Sequence, residues 1–191
     1  MWLPLLVALW LGQSSQRLPF NNYQTFLEPR DGEDACHLNK PVYFQNRTYR
    51  FRGTAYPGDL AVPLRQGQFE ERNELGGIEW SMALERQESI ILGTERATLV
   101  RFFADHLAGT GSASHVLVMR CNGSRLEVVF EAEGEGVRAV YLPHSTLTIS
   151  APFWRREDSH ASPSEVIHEE YRWDPSGHRF VLAHRGQRRR R

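Results

Sequence analysis

This 191-residue chain predicts a mainly β fold: antiparallel sheets in a sandwich or barrel-like arrangement, with little helix. Three observations carry that reading. Short apolar runs recur at roughly 8–12-residue spacing through the second half of the chain, as strands of an all-β domain do. Turn-forming residues punctuate them, among them Asn122-Gly123, a pair favoured in tight hairpins. The run Ser145-Thr146-Leu147-Thr148-Ile149-Ser150 alternates polar with apolar residues, the period of a half-exposed strand.

Taken in order, residues 16–40 carry Pro19, Asn21, Asn22, Pro29, Asp31-Gly32 and Asn39 without periodicity and read as an irregular lead-in. Val42-Tyr43-Phe44 and Tyr49-Arg50-Phe51-Arg52 read as strands joined through Gln45-Asn46-Arg47, and Gly53 to Gly58 as loop. Val62-Pro63-Leu64 and Gln68-Phe69-Glu70 echo that pair around Gln66-Gly67. Ala97 to Phe103 and His115 to Arg120 are strongly apolar strands separated by a flexible Gly109-Thr110-Gly111-Ser112 loop. Arg125 to Glu131 and Gly136 to Tyr141 supply two more strands. Tyr171 and Trp173 pair across Asp174-Pro175-Ser176-Gly177 with Phe180 and Leu182 as a closing hairpin. Glu85 to Leu92 is the one stretch that reads as helix. One β-rich domain is expected over 41–184, followed by a disordered Arg-rich tail at 185–191.

The N-terminus addresses location. From Trp2 to Leu11 no side chain is charged. Ten such residues rise about 15 Å as a helix, roughly half of a ~30 Å hydrocarbon core, so the run is too short to span a bilayer. It has the length and position of a signal-peptide core, which makes residues 1–15 a signal and the protein exported, periplasmic or extracellular. A short buried N-terminal strand or helix is the other reading of the run. No other stretch approaches the ~18 apolar residues that a membrane helix needs.

Export changes how the two cysteines are read. Cys36 and Cys121 form an even pair that suggests one disulfide in an oxidising compartment, with two separate buried thiols as the alternative. Asn46-Arg47-Thr48 and Asn122-Gly123-Ser124 fit the glycosylation triplet. The formal net charge of zero conceals an asymmetry. Arg185, Arg188, Arg189, Arg190 and Arg191 crowd the end of the chain, leaving 18 basic against 23 acidic residues elsewhere. A net-acidic body argues against specific nucleic-acid recognition. The Arg cluster could contact a polyanionic surface, or be a solvated terminus.

Catalytic signatures are sparse. Gly53 to Gly58 lacks the Lys-Ser/Thr of a phosphate loop, and no Gly-x-Ser-x-Gly elbow or His-Glu-x-x-His pair occurs. Cys36-His37 are sequence neighbours, which on a strand point to opposite faces, so they form no nucleophile pair. Asp158, His160 and His168, with Glu157 and Glu169 nearby, are the best candidates for a loop-built hydrolytic or metal site; a solvated turn explains them too. Trp80, Trp154, Trp173, Tyr141 and Tyr171 could line a groove, although strand aromatics are commonly packed in a core.

Val62 to Phe69, Phe102 onward through His115-Val116-Leu117-Val118 and Leu147-Thr148-Ile149, and Asp158 to Ser164 with Tyr171-Arg172-Trp173 and Phe180 together resemble small exported bacterial proteins of unassigned function, the LppP/LprE-like lipoproteins and related domains. The resemblance implies export and a β-rich fold and brings no activity with it. Leu92-Gly93-Thr94-Glu95-Arg96 stands where such relatives often carry an Asp-rich turn. His160 and Ala161 stand where they often have paired cysteines, and the lipid-anchoring Cys is absent. The expectation is therefore a non-catalytic exported domain that works by binding or interaction, or in association with the envelope, without a cofactor. The alternatives are a secreted hydrolase built on Asp158, His160 and His168, and a carrier with an apolar cavity between its sheets.

Overall fold

The hairpins expected from the turn residues form in the computed structural model, which describes residues 24–27, 44–52, 59–106, 111–123, 125–159 and 162–189. Strand β6 (Glu95–His106) pairs with β5 (Ile78–Leu92) through the Gly93-Thr94 turn, and β7 (Gly111–Asn122) pairs with β6. Asn122 pairs with Arg125, the first residue of β8 (Arg125–Gly134), and Gly123 opens the tight turn after Asn122. Gly123 sits there at φ 61°, the left-handed region that only glycine adopts without strain. With β4 (Gln68–Arg72) these strands make a five-stranded antiparallel sheet in the order β4-β5-β6-β7-β8.

A four-stranded antiparallel sheet, β12-β11-β10-β9, consists of β9 (Arg138–Leu142), β10 (Thr146–Phe153), β11 (Glu165–Asp174) and β12 (Arg179–Arg189). A three-stranded sheet takes β1 (Gln24–Leu27), β2 (Thr48–Arg52) and β3 (Asp59–Pro63) in that order. None of the three closes into a barrel, and the arrangement is sandwich-like. Among the described residues no helix is long and apolar enough to cross a membrane.

The five-stranded sheet is the middle layer, because alternate residues of its strands feed two cores. Ala97, Leu99, Val116, Val118 and Ala132 pack against Val137, Ala139, Leu147, Ile149, Ala151 and Trp173 of the four-stranded sheet and its lead-in. On the opposite face Val100, Phe102, Ala104, Leu117 and Met119 meet Phe44, Tyr49, Val62 and Leu64. Two-sided burial explains why β6 and β7 read as nearly continuous apolar runs in the sequence.

Four expectations need correction. Residues 85–92 are the second half of β5, an extended strand. A register shift between Leu84 and Arg86 leaves Glu85 as an extra residue, which hides the two-residue period. Phe44 begins a short helical turn instead of ending a strand. Gly111 and Ser112 are already within β7. The closing hairpin runs through Arg189, so residues 185–189 are strand where a disordered tail was expected.

Candidate anion-binding face

Strand register turns the four-stranded sheet into four cross-strand rows. Leu147, Ile149 and Ala151 of β10 point into the core, so Thr146, Thr148, Ser150 and Pro152 point away from it. The pairing aligns Leu142, Thr146, Arg172 and Val181 in one row and Val140, Thr148, Glu170 and His184 in the next. The third row is Arg138, Ser150, His168 and Gly186; the fourth is Pro152, Val166 and Arg188. Val140 at 53% and Val181 at 44% exposure mark this as the solvent side.

The charge on this face is one-sided. Its rows hold the cations Arg138, Arg172 and Arg188, the imidazoles of His168 and His184, and one carboxylate, Glu170. Among the described residues no carboxylate pairs with any of the three arginines. Elsewhere Arg72 pairs with Glu70, Arg86 with Glu88, Arg101 with Glu85, and Arg120 with both Glu95 and Glu127. Three unpaired guanidinium groups on one sheet face form a positive surface suited to oxyanions. A depression of about 290 Å³ lies at its third and fourth rows, lined by Gly136, Arg138, Ser150, Ala151, Pro152, Val166 and His168.

The inner side of β11 and β12 uses its charges differently. Glu169 is 1% exposed and accepts hydrogen bonds from Arg185 Nε at 2.7 Å and from the Tyr171 hydroxyl at 2.5 Å. Burial, and then the Glu169 carboxylate, raise the Tyr171 phenol above its ordinary pKa. Glu165 accepts from Arg155 and Gln187. These pairings explain why the Arg-rich end is strand: opposite a buried carboxylate, Arg185 holds the edge strand down.

The sequence candidates separate accordingly. Arg188 reaches the outer face, whereas Arg185 pairs with Glu169 on the inner side. Arg189 aligns with Glu165 on the inner side; Arg190 and Arg191 lie outside the described residues. His168 stands on the outer face and His160 lies outside the described residues. Asp158 is a loop staple: its Oδ2 accepts from the Arg155 backbone N–H at 2.7 Å and from the Ser164 N–H and hydroxyl at 2.9 Å each. Those donors, the Arg155 amide first, hold its carboxyl below the usual pKa. No group of three or more His, Cys, Asp or Glu suited to a metal occurs among the described residues.

The aromatics pack. Trp80 lies in the core 4.8 Å from Phe69, and Trp173 is buried with the Arg120 guanidinium 5.9 Å from its ring centroid. The Tyr141 hydroxyl donates to the Ile91 carbonyl. Cys36 and the apolar run at residues 2–11 lie outside the described residues. Cys121 is half-buried on β7, and there is no free cysteine among the described residues. One buried pair escaped the sequence reading: His115 on β7 faces Glu133 on β8 with Nδ1 and Oε2 3.4 Å apart. It could not be found from spacing, because it depends on the β7–β8 register.

No protein-family model matches this chain, and no curated protein is detectably similar to it.

Proposed function

We propose that this is an exported, non-catalytic β domain that binds an anionic partner through the outer face of the β9–β12 sheet. The observation that carries this reading is the set of unpaired Arg138, Arg172 and Arg188 brought onto one face by three strands. It replaces a basic tail with a basic surface of fixed spacing. Export is supported by the Trp2–Leu11 run, and a Cys36–Cys121 disulfide by the even cysteine count. Kinship with LppP/LprE-like exported proteins fits the same picture and adds no chemistry.

The hydrolase reading draws less support, since Asp158 already serves as a loop staple. The carrier reading needs apolar space between sheets, where Leu99, Val118, Leu147 and Ile149 pack together. The test is retention on immobilised heparin at low salt. Replacing Arg138, Arg172 and Arg188 together by Glu should abolish retention, while the same change at Arg65, Arg96 and Arg125 should leave most of it. Equal loss in both sets would refute a specific face.

A further inference from the structure

We propose that the depression on this face is a seat for a single oxyanion end group, a phosphate monoester or a carboxylate, gripped by Arg138, Ser150 and His168. The proposal deepens the anionic-partner reading and rests on it. Register places the three residues side by side on β9, β10 and β11. With strands about 4.8 Å apart the row spans roughly 10 Å, enough for one oxyanion with a donor on each side. The donors are complementary in kind: a planar guanidinium fork for two oxygens, a hydroxyl beneath, and an imidazole N–H opposite.

None of the three side chains is engaged by the protein: among the described residues Arg138, Ser150 and His168 make no side-chain hydrogen bond or ion pair. Elsewhere Arg120, Arg155 and Arg185 each hold a carboxylate. The relief of the surface also suits a ligand. Pro152 and Val166 give the depression an apolar side, matching a small apolar body attached to the anionic group. Gly186 follows His168 in the row, and the His184 imidazole lies against it, its Nε2 3.4 Å from where a Cβ would stand. At the other end Gly136 stands at φ 63°, and a Cβ there would lie 2.9 Å from Pro152 Cγ, so that rim is restricted to glycine. About 290 Å³ falls at the small end of ligand sites, the size of a head group with a short body.

The test is a side-chain and amide NMR titration of the full chain with methyl phosphate and, separately, acetate, against chloride at matched ionic strength. Saturable shifts at His168 and Ser150 are expected, and the tighter of the two probes names the source. Arg138→Gln should weaken that binding at least about tenfold, and Arg96→Gln should leave it unchanged. Shifts that fail to saturate with either probe, or that are the same in Arg138→Gln, overturn the seat. Heparin retention separates the two claims: if it persists while the titration fails, the seat falls and the basic face stands.

Discussion

His115 and Glu133 meet inside the protein with opposite titration problems. Burial pushes the His115 imidazole down to about 4, and burial followed by the Glu131 charge pushes the Glu133 carboxyl up to about 8. Both groups are therefore neutral near pH 7. His115, lowered from 6.5, contributes stability that is complete above pH 6.5 and is lost as pH falls towards 4. Glu133, raised from 4.5, contributes stability that is complete below pH 4.5 and is lost as pH rises towards 8. The two slopes oppose each other between 4.5 and 6.5, so the pair predicts a plateau there with a decline on either side. Glu133→Gln removes the alkaline limb. Urea unfolding at pH 6.5 and 8 should show the native chain losing about 2 kcal/mol from this source and the variant losing none of it. An unchanged alkaline decline in the variant would place the cause elsewhere.

At the scale of elements, β5 shows what one residue does to a strand. Trp80, Met82 and Leu84 face the core under the three-stranded sheet, whereas Ile90 and Leu92 face the core under the four-stranded one. All five are even-numbered, so only the extra residue at Glu85 reconciles them. Deleting Glu85 should put one set or the other into solvent and abolish cooperative thermal unfolding. Glu85→Ala should cost under about 1 kcal/mol, since it removes only the partly exposed pair with Arg101. A folded deletion variant would show that the bulge is dispensable. The same residue marks the limit of sequence reading. β6, β7 and the Tyr171–Leu182 hairpin were legible because apolar runs and turn residues are local signals. β5 was not, because the bulge interrupts its period, and the charged Glu85, Arg86 and Glu88 between its two apolar sets mimic a polar helix face. The end of β12 was hidden for another reason: what makes Arg185 part of a strand is Glu169, a partner found only through the fold.

For the whole molecule, the outer side of β9–β12 is a broad surface with cations drawn from β9, β11 and β12. The sequence exposed Arg188 as one of a cluster but not Arg138 and Arg172, which are 34 residues apart in number and join only by register. The compartment proposal has its own check. Intact mass of the native protein, with and without reduction, should show loss of the N-terminal run and a gain of two hydrogens on reduction. A cytoplasmic, unprocessed and fully reduced protein would contradict it. The central claim, that a sheet face and not a chain end meets the anionic partner, is tested most directly by a backbone amide NMR footprint with a heparin oligosaccharide. Shifts should concentrate at Arg138, Ser150, His168, Arg172, Gly186 and Arg188 across the strands. Shifts confined to the residues after Gly186 would contradict the account.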